Sequence, residues 1–339
     1  MLAQVSQPPS GWRALGLFWA AILLFVAIGA GTLQLLGPPK GLEPAASHDE
    51  GHGPAQAHGH EPAATPSVRT GEILGPQAAL LEPSKAFAPA MLPRIAPDGR
   101  SARLVYARPV EAADGRPRIA LLVTGLGMSD ADSKAAIQTL PPAVSLAFNP
   151  YAPSPEALAQ LCRTTGHEML VSLPLEPQGF PLNDAGSRSL LTGASVQQNT
   201  TNLEWAFTRL QGYVGVTGAL DGMRGERYAE QTSSWKAMLG EIGRRGLLYI
   251  DPRTGKPSDA LADVPGRAVD LVIDDPPARA EIEAKLANLE RLAREKGAVI
   301  GLAGPLRPVT IERIAAWARG LDARGIALVP VSALVGNEK

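Results

Sequence analysis

Residues 119–127 read IALLVTGLG, and this stretch decides the fold. The apolar run from Ile119 to Val123 shows no alternation and soon meets glycine. A parallel strand covered by helices on both faces has no solvent side to keep polar, so it reads this way. Helical SDADSKAAIQTL follows, with Ser129 or Asp130 placed to cap it. Strand-like runs then recur at VSLAFNP (144–150), EMLVSLPLEP (168–177), YVGVTGAL (213–220), LLYIDPRTG (247–255), AVDLVIDD (268–275), AVIGLAGP (298–305) and IALVPVS (326–332). Helical stretches separate them. One is SPEALAQLCRTTG (154–166), opened by Ser154 and Pro155 and closed by Gly166. Another is the amphipathic ARAEIEAKLANLERLAREKG (278–297). This alternation predicts one α/β domain over 117–336, with a parallel sheet of about seven strands, barrel-like or doubly wound. Loops after the strand C-termini then form the site face.

Upstream of that domain the texture changes. Residues 14–36, ALGLFWAAILLFVAIGAGTLQLL, carry no charge. At about 1.5 Å per residue they cross a hydrocarbon core of about 30 Å. Trp12 and Trp19 stand toward the first interface. A cleaved signal peptide is the alternative, because Ala27, Gly29 and Ala30 are small; its apolar region runs only about 7–15 residues. The expected layout is residues 1–13 in the cytoplasm, 14–36 as a single inner-membrane anchor, and the rest in the periplasm. Residues 37–116, rich in Pro, Ala, Gly and His, read as a flexible linker. Within them, 83–106 is mixed and reads as a segment packed outside the domain. The tract HDEGHGPAQAHGHE (48–61) can bind zinc, nickel or copper; its spacing fits no structural zinc pattern, and a soluble spacer is the simpler reading.

Composition excludes some classes. A net charge of −1 gives no basic excess for nucleic acid. One cysteine, Cys162, allows no intramolecular disulfide and reads as a small buried apolar residue. Four of the five histidines lie in the linker tract, which leaves His167 alone in the domain. His167 precedes a strand, at the end opposite the site face, so a locally bonded structural role is expected.

The expected strand ends carry carboxylates at Glu176, Asp221, Asp251, Asp274 and Asp275, and no histidine. Glu176 is a candidate for contacting a sugar hydroxyl or a partner group, or for holding its proline-flanked loop. Asp251 and Arg253 are candidates for charge-assisted ligand contacts, or for bracing adjacent loops. Asp221, with Arg224, Glu226 and Arg227, forms a charged loop where a ligand would enter. Asp274 and Asp275 suit weak cation binding, though capping the following helix is simpler.

The ordered set of motifs resembles the divergent polysaccharide deacetylase family, exported relatives of sugar-ester and N-acetyl deacetylases. The resemblance is carried by Val123-Thr124-Gly125-Leu126-Gly127, Gly166-His167-Glu168, Pro174-Leu175-Glu176-Pro177, Asp251-Pro252-Arg253-Thr254 and the closing Leu328 to Ser332. It covers 118 to about 335. It implies a (β/α) barrel-like deacetylase fold, carbohydrate metabolism, and a divalent metal such as zinc held by one Asp and two His. That metal would polarise the acetyl carbonyl and activate water. The family's paired aspartates fall here on Thr124 and Gly125, and its two histidines on Ala219 and Gly304. The expectation is a metal-free, cofactor-free envelope protein that binds glycan or a protein partner. An assembly role for a domain on a long tether overlaps it. The alternative is an active deacetylase with a site rebuilt from Glu176, Asp251 and Asp275.

Overall fold

A computed structural model describes residues 73–110, 115–256, 261 and 264–335, together with Phe18, Trp19 and Leu23. The anchor expected over 14–36 (save those three residues), the linker up to residue 72 and the histidine tract lie outside the described residues. Among the described residues no helix is long and apolar enough to cross a membrane.

The central strand is β3 (Arg118–Leu126), whose residues Ile119 to Val123 are fully buried. A two-stranded antiparallel pair, β1 (Leu81–Pro83) and β2 (Met91–Pro93), precedes it. After it come β4 (Ser145–Phe148), β5 (Met169–Ser172), β6 (Gly215–Thr217), β7 (Leu248–Asp251), β8 (Gly266–Ala268), β9 (Leu271–Val272), β10 (Ala298–Ala303) and β11 (Ala327–Val329). The sheet runs β8-β7-β6-β5-β4-β3-β10-β9, and every pairing in it is parallel. β11 lies parallel to the first residues of β3, Arg118 to Ala120, while β4 takes the later ones. The helices are α1 (Ala102–Val105), α2 (Asp130–Thr139), α3 (Glu156–Thr165), α4 (Val196–Phe207), α5 (Glu226–Glu230), α6 (Thr232–Arg244), α7 (Arg279–Lys296) and α8 (Pro308–Ala318).

Local chemistry explains several boundaries. Ser129 caps α2 by accepting from the Asp132 N–H, and Ser195 caps α4 by accepting from Gln198 N–H. Gly166 ends α3 at φ 83°, a conformation that costs a Cβ-bearing residue energy.

Where one strand was expected over 268–275, the chain forms two. β8 pairs with β7, and β9 pairs with β10 at the other edge of the sheet. Only Val269 and Asp270 separate them. Val269 N–H bonds Asp251 O and Asp270 N–H bonds Ile300 O, both at 2.9 Å. One segment thus serves both edges, and the sheet curls into a half-barrel whose two edges this segment joins. Changing partner midway shortens each half and releases Asp274 and Asp275 from the sheet.

The folded part also begins earlier than 117. Ile73, Leu80, Leu92, Ala96, Ala102 and Tyr106 are buried in the same core. Arg245 donates to Glu82 at 3.0 Å and to the Pro93 carbonyl at 3.0 Å. Ser84 donates to Glu204 at 2.9 Å. Residues 73–110 are therefore a packed wrap rather than a tether, as 83–106 had suggested. Their apolar residues fall at irregular spacing, which hides the wrap from a periodicity reading.

Candidate functional site

The C-terminal ends of β3, β6, β9 and β10 surround a cleft of about 290 Å³. Thr124, Ala219 and Gly304 contribute small side chains to it. Asp221, Arg224, Asp274, Asp275 and Arg307 contribute charge.

Asp221 reaches the cleft from a tight turn after β6. Leu220 and Met223 exchange backbone bonds of 3.0 and 2.8 Å, with Asp221 at φ 48° and Gly222 at φ 86° between them. Two left-handed central residues make the type I′ hairpin that Asp-Gly favours. Among the described residues Asp221 is the only non-glycine with positive φ. Its carboxylate accepts from Asn149 Nδ2 at 3.1 Å, at the end of β4. Partial burial pushes its pKa up, and the Asn149 bond opposes that.

Asp274 is buried in the cleft wall. It accepts from Gly304 N–H at 3.0 and 3.2 Å and from Thr310 Oγ1 at 3.2 Å, and stands 3.6 Å from Arg307. Burial raises its pKa and those donors pull it back. Asp275 is exposed and pairs with Arg224 at 3.1 Å. Neither caps the next helix: α7 starts after Ala278 with no side-chain cap. The capping reading is corrected, because β10 offers Asp274 a buried N–H that α7 does not.

The other sequence candidates stand elsewhere. Glu176 is buried, accepts from the Thr192 N–H and Oγ1, and pairs with Arg227 at 2.8 Å. It holds the long loop after β5. Asp251 accepts from its own loop, from Arg253 N at 3.0 Å, Nε at 2.9 Å and Nη2 at 2.6 Å. The Arg253 guanidinium lies 4.4 Å from the centre of the Trp235 ring on α6. None of Glu176, Asp251 and Arg253 is among the cleft's lining residues. The structure thus gathers Asp221 and Asp275 and separates the other three. Arg307 was missed by the sequence reading; its position just after the Gly304-Pro305 strand end was the available signal.

A second pocket, about 450 Å³, lies between α4 and α6 and shares no residue with the cleft. It is larger, but the strand-end cleft has the converging charged groups.

His167 is fully buried at the opposite end of the barrel. Its Nδ1 lies 2.8 Å from Val144 O and its Nε2 3.0 Å from Ile137 O. Burial lowers its pKa, while the two carbonyls favour the proton. Burial is the larger effect, and a neutral ring can donate to only one of the two carbonyls. Beside it Glu168, also fully buried, accepts from Arg108 N–H at 2.9 Å, from Ser145 Oγ at 3.3 Å and from the Ser332 hydroxyl. Burial raises its pKa.

The divalent metal implied by the resemblance does not fit these residues. Among the described residues no three of His, Cys, Asp and Glu group to hold an ion. At Gly304 a Cβ would lie 2.0 Å from Thr124 Oγ1, so the space where a ligand side chain would start is filled.

A parallel, curled α/β sheet with its cleft at the strand ends is consistent with a (β/α) deacetylase fold. The model of the divergent polysaccharide deacetylase family matches residues 121–335, and the chain belongs to that family. A solved structure of an uncharacterised Agrobacterium tumefaciens protein is 36% identical, covers 73% of this chain and all of its own, and superposes with a TM-score of 0.67. An uncharacterised Haemophilus influenzae protein is 26% identical over 60% of this chain and 72% of its own length. The uncharacterised protein YibQ of Escherichia coli is 22% identical over 70% of this chain and 72% of its own.

Proposed function

We propose that this chain is an envelope protein, anchored in the inner membrane, whose periplasmic deacetylase-type cleft binds glycan, or a partner bearing one, without metal-dependent hydrolysis. It would act in cell-wall or exopolysaccharide metabolism and need no cofactor. One observation carries the reading: the cleft keeps charged acceptors and donors, while among the described residues no three metal-ligating side chains group together. Sugar hydroxyls donate and accept, so they suit paired carboxylates and guanidinia. The lining includes no aromatic ring for stacking. A handful of polar bonds, each worth about 1 kcal/mol net, gives millimolar affinity.

The reading with Glu176, Asp251 and Asp275 as a rebuilt catalytic set loses support, because Glu176 and Asp251 are saturated by Thr192, Arg227 and Arg253. The test titrates chitooligosaccharide into purified protein and assays acetate with and without zinc. The expected result is binding without acetate release. Zinc-dependent acetate release that disappears in Asp221→Asn would overturn the proposal.

A further inference from the structure

We infer that Thr124 and Gly304 form an interlocked pair that closes the cleft floor, so that the lost metal site is one coupled repacking rather than a set of independent substitutions. This rests on the proposal that the cleft works without metal, and deepens it.

β3 and β10 run in register to Val123 opposite Ala303. Thr124 and Gly304 are the next residues, facing each other where β10 ends and β3 continues to Leu126. Thr124 is buried, and its hydroxyl donates to Ala303 O at 3.4 Å. Gly304 has φ 142°, a conformation L side chains rarely adopt. A Cβ at 304 would meet Thr124 three times: Oγ1 at 2.0 Å, O at 3.0 Å and Cβ at 3.1 Å. Rotating the hydroxyl away from the first contact forfeits its bond to Ala303 O, and the other two need their neighbours to give by a few tenths of an ångström.

Two further contacts resist that movement. The Gly304 N–H is tied to the Asp274 carboxylate, itself bound by Thr310. The following residues press on β3 as well: a Cβ at Gly125, φ 96°, would lie 3.0 Å from Leu306 N and 3.3 Å from Pro305 Cα. Positions 124, 125 and 304 therefore share one close approach of loop 304–306 to β3. Histidine at 304 has no room while Thr124 stands opposite. A ligand entering the cleft meets a closed protein floor.

The test uses the full chain and two readouts. In calorimetry, Gly304→Ala is expected to lower the melting temperature by about 4–8 °C, as overpacking does in a domain of this size. In a Thr124→Ala background the same substitution should lower it by no more than about half as much, because the hydroxyl overlap is gone. An equal drop in both backgrounds, or none in either, overturns the interlock. In calorimetric titration with zinc alone, His48, His52, His58 and His60 give the same background in every variant. Ala219→His/Gly304→His is expected to gain no zinc equivalent over the wild type. An added equivalent with Thr124 in place overturns the inference. If wild-type protein failed to bind chitooligosaccharide, the functional proposal would fall while the stability cycle still judged the interlock.

Discussion

The two ends of the barrel hold ionisable groups under opposite conditions. At the N-terminal end, His167 and Glu168 are fully buried, and every bond named for them goes to backbone or hydroxyl groups of the protein. At the C-terminal end, Asp221, Arg224, Asp275 and Arg307 line an open cleft, each with a side-chain partner in the protein: Asn149 for Asp221, each other for Arg224 and Asp275, and Asp274 for Arg307. A charged residue near a strand is thus no guide to function by itself. What separates the two sets is whether the protein encloses them completely or leaves them at the wall of a cleft.

The comparison breaks most visibly at Glu168. Glu168→Ala would take the carboxylate partner from the buried Ser145 hydroxyl and from the half-buried Ser332 hydroxyl and Arg108 N–H. At about 1–3 kcal/mol for an unsatisfied buried group, a loss of roughly 3 kcal/mol or more is expected in urea unfolding. A loss under about 1 kcal/mol would show that this end is not held by its buried carboxylate. Asp251→Ala should cost less, about 2 kcal/mol, and leave chitooligosaccharide affinity unchanged, because Asp251 braces only its own loop; weakened binding would move it into the site.

A pH series sharpens the contrast. Burial lowers the His167 pKa from an ordinary 6.5, so the unfolded chain takes up a proton that the folded chain refuses. Stability from this group is present above pH 6.5 and falls as pH drops through that value. The melting temperature should decline on acidification below this point, and decline less in His167→Gln. Identical slopes would remove His167 from the account. Asp221→Gly should have the smallest effect on folding, within about 0.5 kcal/mol, since glycine relieves the left-handed strain while forfeiting one bond. Titration should nevertheless show glycan affinity falling several-fold; unchanged affinity would take Asp221 out of the binding site.

Much of this was legible. Unbroken apolar runs located the strands, because a strand buried on both faces cannot be polar. The isolated His167 was readable as structural from its place before a strand. The candidate site was legible only in part. Asp221 and Asp275 share the cleft, whereas Glu176, Asp251 and Arg253 each follow a strand yet turn to their own loops. Position after a strand does not say which way a side chain points, or whether Thr192, Arg227 or Trp235 waits for it. The wrap over 73–110 was hidden because its contacts are irregular and long-range.

By itself the sequence determined most of the order of strands and helices over 117–336, the resemblance to the deacetylase family, and that positions 124, 125, 219 and 304 carry Thr, Gly, Ala and Gly. The first follows from hydrophobic periodicity, the second from the ordered motifs that carry the resemblance. Tertiary structure alone decided that one segment stitches both edges of the sheet, that Asp274 secures Gly304, and that Thr124 fills the space where a side chain at 304 would begin. Those outcomes depend on close contacts between residues up to 180 positions apart, Thr124 and Gly304 among them. No local pattern in the chain encodes such distances.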